Sequence, residues 1–197
     1  MSNDTIHFFY SRESGQVVDY RTAKGWLTPH ERALLHGQAH GVAANGLMVN
    51  IGIEYGASLV CLRQGNKNAT ILAIDVIGDS KIDTTIPAPI LYVRGDSTVA
   101  GPIMRPVCAG LVFVDGGHDY HTVQRDAIYW GSVVAPGGVM LFHDTDNSPA
   151  QDEVNLAVSD WFREYGPGYW IELKKVDSIR WFRRVAVPPA YQGLVML

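Results

Sequence analysis

The sequence predicts a doubly wound α/β domain built on a mostly parallel sheet, and three observations support this prediction. Five short apolar runs alternate with segments of helical periodicity between residues 47 and 165. The runs are almost continuously apolar, which is typical of strands buried on both faces of a parallel sheet. Residues 169–187 form two further runs around Asp177 and Ser178, a pattern that predicts an antiparallel hairpin at the C-terminal end.

Local signals place the individual elements. Thr28, Pro29 and Glu31 have the spacing of a capping box, which predicts a helix from Thr28 to about Ala44. The predicted parallel strands span residues 47–51, 70–75, 90–93, 111–115 and 139–142. Helices are predicted at residues 58–65, just after residue 96, at 120–134 and at 153–165.

Length and composition limit the classes of protein to consider. The 197 residues suit a single domain, which we assign to residues 28–197, with residues 1–27 as an N-terminal extension or lid. A net charge of −4 without any block of basic residues predicts no nucleic-acid partner and no membrane surface. There is no apolar run of membrane-spanning length and no signal-peptide pattern, and Cys61 and Cys108 lack C-x-x-C spacing. We therefore expect a cytoplasmic protein with reduced thiols. Its apolar residues 194–197 leave a homodimer open.

Polar or acidic residues follow each of the five parallel strands, at the edge of the sheet where α/β folds bind ligands. After the first strand, Gly52 and Gly56 permit a tight turn and a close approach of a ligand to the main chain. Their spacing differs from G-x-G-x-x-G, which argues against a dinucleotide. Asp75, at the end of the second strand, is placed to accept hydrogen bonds from a ribose diol. These features predict a ligand with one adenosine and no diphosphate.

A candidate metal site follows the fourth and fifth strands. Asp115, His143 and Asp144 are expected to converge there, and a divalent cation would offset the repulsion between the two acids. Mostly oxygen ligands favour Mg²⁺ or Ca²⁺, and the imidazole is compatible with Mn²⁺. His118 follows Asp115 by three residues and has the chemistry of a general base. The alternatives are a structural His–Asp pair for His143 and a solvated loop residue for His118.

Five segments carry a resemblance to a known family: N-I-G-I-E-Y-G-A-S, A-I-D, G-D-S, F-V-D-G-G-H-D-Y and P-G-G-V-M-L-F-H-D-T. Over residues 46–183 the chain resembles the class I S-adenosylmethionine-dependent methyltransferases. It is most similar to their metal-dependent O-methyltransferases: catechol O-methyltransferase and the bacterial sugar and macrolide O-methyltransferases related to cephalosporin-hydroxylase-like proteins. The resemblance implies a Rossmann-like, seven-stranded, mostly parallel sheet that ends in an antiparallel hairpin.

The resemblance also implies residue roles. Gly52, Tyr55, Gly56 and Ser58 would line the methionine and ribose part of the cofactor, Asp75 would hold the ribose hydroxyls, and Asp96 and Ser97 would face the adenine. The full set of implied cofactor contacts is Asn50, Gly52, Tyr55, Gly56, Ser58, Asp75, Asp96, Ser97 and Asp115. The implied metal ligands are Asp115, His143 and Asp144, and the implied base is His118. Two positions depart from the family pattern: Asn50 replaces an acid, and His143 replaces an aspartate or glutamate.

The expected reaction is methyl transfer from S-adenosyl-L-methionine to a hydroxyl of a small molecule, such as a sugar, phenol or natural product. A divalent metal, expected to be Mg²⁺, would assist. Two alternatives stay open: a metal-independent methyltransferase acting on nitrogen or an acidic hydroxyl, and a non-catalytic methyltransferase-like domain, which Asn50 favours. An NAD-linked oxidoreductase is disfavoured because the phosphate-binding fingerprint is missing.

Overall fold

The structure, a computed structural model, describes residues 7–10, 19–77, 86, 89–103, 108–146, 148 and 151–187. Its strands are β1 (His7–Tyr10), β2 (Leu47–Ile51), β3 (Thr70–Asp75), β4 (Ile90–Arg94), β5 (Ala109–Val114), β6 (Val134–Phe142), β7 (Trp170–Glu172) and β8 (Arg180–Arg184). Its helices are α1 (Pro29–His40), α2 (Ala57–Gly65), α3 (Ser97–Ile103), α4 (Tyr120–Val133) and α5 (Asp152–Tyr165).

Strand β2 is the point where the strand order of the sheet reverses. The order is β1-β4-β3-β2-β5-β6-β8-β7. β2 pairs in parallel with β3 on one side and with β5 on the other, so that Asn50 lies opposite both Ala73 and Phe113. The loops that follow β2 and β5 therefore leave the same edge of the sheet side by side. A crevice opens at such a switch point, and it is the expected place for a ligand in this class of fold.

Helices cover both faces of the sheet. Side chains alternate along each strand, so Met48 joins the apolar cluster on one face and its neighbour Val49 joins the cluster on the other. The first cluster contains residues of α1 and α2, and the second contains residues of α4 and α5. The fully buried helical members of the two clusters include Leu35, Leu59, Trp130 and Trp161. Burial on both faces explains why the strand sequences are continuously apolar.

The predicted fold class is confirmed. β2 to β8 are the seven expected strands, and β6, β8 and β7 pair antiparallel as the hairpin prediction requires. β1 is an eighth strand, antiparallel to β4, in a segment where the sequence predicts none. Helix α1 ends at His40 instead of about Ala44, because the Gly41 N–H already bonds to the carbonyls of Gln38 and Ala39. Strand β6 begins at Val134, five residues before its predicted start.

Residues 19–27, the described part of the predicted extension that adjoins α1, pack onto the domain. The buried Arg32 guanidinium donates to the carbonyls of Tyr20 (2.9 Å), Leu27 (2.9 Å) and Gly25 (3.3 Å). Trp26 is exposed. Residues 1–6 and 11–18 of the predicted extension lie outside the described residues. None of the helices in the described part of the chain combines the length and the apolar character that a membrane crossing requires.

Candidate active site

A cavity of about 810 Å³ opens at the carboxyl edge of the sheet, where the sequence predicts the ligand site. The loops after β2, β3, β4, β5 and β6 all contribute to its wall. The predicted site residues that line it are Gly52, Tyr55, Ser58, Asp75, Asp96, Ser97, Asp115, His118, His143 and Asp144. Trp26 and Leu27 of the N-terminal segment line it as well. The strand-end residues are therefore brought together in one cavity.

Gly52 makes a turn that only glycine fits. Its φ is +79°, and its N–H donates to the Ile74 carbonyl at 2.9 Å. A Cβ at this position would lie 1.8 Å from the carbonyl oxygen of Asp115. The loops after β2 and β5 thus touch through their main chains, which brings the first glycine loop against the acidic cluster.

Asn50 and Gly56 do not line the cavity, unlike the other predicted cofactor contacts. Asn50 is fully buried, and its Nδ2 donates to the Gly52 carbonyl at 2.7 Å, so the side chain supports the glycine turn from below. Its Oδ1 is buried without a hydrogen-bond partner among the described residues. Gly56 has a φ of +85° and is the N-cap residue that precedes helix α2. Asn50 and Gly56 therefore do not face the cavity in which a ligand would bind.

Asp75 and Asp96 line the cavity and also tie down their own loops. Asp75 Oδ2 accepts from the backbone N–H groups of Ile53 (2.7 Å) and Glu54 (3.2 Å), and Oδ1 accepts from Ile77 (2.7 Å). Asp96 Oδ1 accepts from the Thr98 N–H at 2.8 Å and from its hydroxyl at 2.7 Å. Each carboxylate oxygen has two lone pairs, so these bonds fill Asp75 Oδ2 and Asp96 Oδ1 and leave acceptor capacity for a ligand on Asp75 Oδ1 and Asp96 Oδ2.

Beneath Ser97 lies Asp126, a residue that the sequence analysis does not identify. The Ser97 hydroxyl donates to Asp126 Oδ2 at 3.0 Å, and the carboxyl is fully buried on α4. Burial raises the pKa of Asp126 to about 7. A signal for it exists in the sequence, because Asp126 lies three residues after Val123 and four before Trp130, on the apolar stripe of the helix.

Asp115, His143 and Asp144 converge as predicted. His143 Nδ1 lies 3.0 Å from Asp115 Oδ1 and 3.1 Å from Asp144 Oδ2. Burial alone would lower the pKa of His143, but its hydrogen bonds to surrounding carboxylates raise it well above the usual range. Burial raises the pKa of Asp115. Burial would also raise the pKa of Asp144, but hydrogen bonds from His118 and His143 outweigh this effect and lower it. Asp144 has a φ of +55°, a strained conformation of the kind that clusters at functional sites.

His118 lies at the solvent side of the same cluster. Its Nε2 is 3.1 Å from Asp144 Oδ2, its side chain is about half exposed, and the hydrogen bond raises its pKa. Asp115, His118 and Asp144 each offer one possible ligand atom, and these three atoms all lie within 4.8 Å of one another. Gln151 Nε2 donates to the other oxygen of Asp144 and so orients that carboxylate. His118 is thus as close to Asp144 as His143 is.

Glu31 is a second residue of the cluster that the sequence analysis treats only as part of a helix cap. Its Oε2 accepts from the Thr28 N–H at 2.9 Å, as the capping box requires, and also lies 3.4 Å from His143 Nε2. Its Oε1 accepts from the N–H (2.9 Å) and the hydroxyl (2.6 Å) of Ser178. Burial opposes ionisation of Glu31, but the bonds with His143 and Ser178 lower its pKa to about 2. Three carboxylates therefore surround one imidazole.

A family model described as a methyltransferase domain matches residues 49–145, which include the glycine turn and the whole acid and imidazole cluster after β5 and β6. Residues 49–145 are therefore similar to a methyltransferase domain. This match confirms the resemblance found in the sequence.

Solved structures of methyltransferases share the fold of the methyltransferase domain. The MycE methyltransferase of the mycinamycin biosynthetic pathway, in complex with Mg and SAH, superposes with a TM-score of 0.67 at 15% identity, covering 89% of this chain and 56% of that one. The O-methyltransferase NovP gives 0.63 at 10% identity, covering 80% and 81%. An O-methyltransferase from Bacillus cereus in complex with SAH gives 0.59 at 15% identity, covering 80% and 82%.

A curated relative of the methyltransferase domain is the uncharacterized protein y4gI of Sinorhizobium fredii. It is 26% identical over 178 residues, which cover 79% of this chain. The chain spans 18% of the length of that relative.

Proposed function

We propose that this methyltransferase transfers the methyl group of S-adenosyl-L-methionine to a hydroxyl of a small molecule, with the help of a divalent cation, expected to be Mg²⁺. The observation that carries the proposal is the convergence of Asp115, His143, Asp144 and His118 at one end of the cavity. The other end is formed by the glycine turn and by the loops of Asp75 and Ser97. One cavity would therefore combine a nucleoside site with a cluster of carboxylates and imidazoles.

The nucleoside end fits S-adenosylmethionine in size and chemistry. A cavity of about 810 Å³ lies within the roughly 300–1,000 Å³ of typical small-molecule sites. The Gly52 turn exposes main chain to the cavity, so that a ligand can approach the backbone closely. Asp75 and Asp96 supply acceptors for hydroxyl and amino groups.

The acidic end fits a divalent cation. In an octahedral site with bonds of about 2.1 Å, adjacent ligand atoms are about 3 Å apart. His143 Nδ1 has that spacing to both Asp115 Oδ1 and Asp144 Oδ2, at 3.0 and 3.1 Å. Burial raises the pKa of Asp115 although His143 and His118 act to lower it, and a cation at this point would further favour the charged carboxylate. Asp115, His143 and Asp144 would thus hold the ion.

The residues around the acceptor have separate tasks. The cation would lower the pKa of the acceptor hydroxyl, and the sulfonium of the cofactor would supply the methyl group. His118, half exposed at the cavity wall, would accept the hydroxyl proton on a ring nitrogen. Asp144 lies 3.1 Å from His118 Nε2 and would stabilise the imidazolium that forms.

Related proteins support this assignment by what they bind. One of the MycE structures holds Mg, SAH and mycinamycin VI. CalS11, which superposes with a TM-score of 0.56 at 17% identity, is a TDP-rhamnose 3'-O-methyltransferase. These examples suggest a sugar or another natural product as the acceptor for this chain.

Methyl transfer from labelled S-adenosylmethionine to a panel of sugar and phenol acceptors tests the proposal. We expect transfer with Mg²⁺ and a loss with EDTA that added Mg²⁺ reverses. Replacing His118 with alanine should lower kcat by about 10²-fold or more. His121→Ala, an exposed histidine at the start of α4, is the matched control and should leave kcat unchanged. Equal kcat values for His118→Ala and the unaltered protein would remove His118 from the reaction.

One observation favours metal-independent methyl transfer as the second candidate. The carboxylates at both ring nitrogens of His143 raise its pKa and favour its protonated form, which would balance the acids without a metal. Turnover that is unchanged in EDTA would select this candidate, and so would turnover of His143→Ala near that of the unaltered protein. Failure of S-adenosylmethionine to bind in calorimetry would instead select a non-catalytic domain.

The division into an extension at 1–27 and a domain at 28–197 also stays a proposal. Its support is the packing of residues 19–27 through Arg32, with Trp26 and Leu27 at the cavity wall, a position from which the segment can act as a lid.

A further inference from the structure

We propose that Glu31 is a positioning residue of the acid and imidazole cluster. It accepts the Nε2–H of His143 and so directs His143 Nδ1 to the point between Asp115 and Asp144. Glu31 belongs to helix α1 and lies outside residues 49–145, the segment that the methyltransferase family model matches. The inference rests on the proposed function, because the ion that His143 would help to hold is part of that function.

The carboxylates at the two ring nitrogens of His143 determine the orientation of its ring. A neutral histidine has one N–H and one acceptor nitrogen, and the partner of one nitrogen decides the character of the other. A carboxylate at Nε2 keeps the proton there and leaves Nδ1 with its lone pair when a cation enters. Glu31 is at that nitrogen, 3.4 Å away, and the two aspartates of the proposed metal site are at the other.

The Glu31 side chain is held in a fixed position by its own hydrogen bonds. Its side chain is 1% exposed, and both carboxylate oxygens are engaged, Oε2 by the Thr28 N–H and Oε1 by the Ser178 N–H and hydroxyl. Ser178 is in turn held by Thr145, whose N–H donates to the Ser178 carbonyl at 2.9 Å. Thr145 directly follows Asp144, so the contacts form a closed frame around the cluster.

The role of Glu31 toward His143 is separate from its role in the helix cap. A capping box needs one Glu31 oxygen at the Thr28 N–H, and that contact is local to α1. The contacts with His143 and Ser178 bridge 112 and 147 positions of the chain and add nothing to the cap. They account for the burial of the Glu31 side chain, which the cap alone does not require.

The experiment compares Glu31→Gln with Thr28→Ala. Glutamine keeps the size and an acceptor for the cap but removes the negative charge facing His143. Thr28→Ala weakens the cap and leaves Glu31 and its charge in place. Affinity for Mn²⁺ or Mg²⁺ alone is measured by calorimetry on the full chain without S-adenosylmethionine. We expect Glu31→Gln to weaken metal affinity by about 10-fold or more, as loss of an outer carboxylate partner does, and Thr28→Ala to change it less than about 2-fold.

A second measurement does not depend on metal. In ¹⁵N-correlated NMR of the imidazole groups, His143 should show a protected Nε2–H signal in the unaltered protein and in Thr28→Ala, and Glu31→Gln should lose or shift it. Equal metal affinities for the unaltered protein and Glu31→Gln, with the same Nε2–H signal, would overturn the inference and leave the proposed function intact. Equal weakening by Thr28→Ala would also overturn it, since the effect would then come from the cap. No metal binding by the unaltered protein would overturn both the metal part of the proposed function and this inference.

Discussion

The buried carboxyl of Asp126 makes the stability of the protein depend on pH. The folded protein holds the pKa of this fully buried carboxyl at about 7, against an ordinary value of 3.8, because burial disfavours the charged form. The folded state thus binds this proton more tightly than the unfolded state. Its contribution is fully present below about pH 4 and is lost as the pH rises through about 7. The full shift corresponds to about 4 kcal/mol at 1.36 kcal/mol per pKa unit, and about 3 kcal/mol of it falls between about pH 5 and pH 8.

Asp126→Asn removes this titration and keeps an acceptor for the Ser97 hydroxyl. The amide NH₂ would take the place of Oδ1, which has no partner among the described residues, and that penalty is the same at every pH. We therefore expect the stability of Asp126→Asn relative to the unaltered protein to rise by about 3 kcal/mol from about pH 5 to pH 8, measured by urea unfolding. Asp152→Asn, an exposed acid at the start of α5, is the control and should show a small change. A difference for Asp126→Asn that is flat across this range would refute the assignment of a buried, proton-binding carboxyl.

Two further substitutions test the glycine turn and the core. Gly52→Ala should lower the free energy of unfolding by about 3 kcal/mol or more and abolish cofactor binding, because the new Cβ would meet the Asp115 carbonyl at 1.8 Å. Gly137 has a φ of +84° and open space around it, so the control Gly137→Ala should lower the free energy of unfolding by about 1–2 kcal/mol. Thermal unfolding and calorimetric titration with S-adenosylhomocysteine measure both, and equal losses for the two variants would contradict the close approach. Trp161→Ala should cost about 3–5 kcal/mol in urea unfolding, because the ring is fully buried, whereas Trp26→Ala, exposed at 80%, should stay within about 0.5 kcal/mol.

The fold was largely predictable because its strands carry a strong local signal. Strands buried on both faces must be apolar throughout, and the five parallel strands have that character. β1 was not predictable in the same way, because its four residues pair only along one edge, with β4. The end of α1 was set by a turn at Gly41, and the sequence pattern placed the stop at the later Asn45 and Gly46. Such boundaries depend on a few backbone hydrogen bonds that periodicity does not reveal.

The candidate site was predictable where one rule applies to all its parts: parallel strands deliver their carboxyl ends to one edge of the sheet. This rule brings Asp75, Asp96, Asp115 and His143 to one cavity. The rule does not say which way a side chain at the strand end points. Asn50 lies at such an end and is buried beneath the glycine turn.

Glu31 illustrates why a local sequence pattern can reveal a helix cap without revealing that the same residue belongs to the candidate site. Its capping box was readable over four positions of the sequence, because a cap is made by neighbours in the chain. Its contact with His143 depends on where the start of α1 stands relative to the end of β6, which only the packed fold determines. The same holds for Ser178, which the hairpin turn presents to Glu31. The acids that define the site therefore come from the segment that the family model matches, and the residues that hold His143 in place come from both sides of it. A protein that kept residues 49–145 and altered the start of α1 or the turn at Ser178 would keep the motifs and lose the contacts of Glu31 with His143 and Ser178. If the proposed metal site is correct, substitutions at these two places would change its metal affinity without changing a ligand.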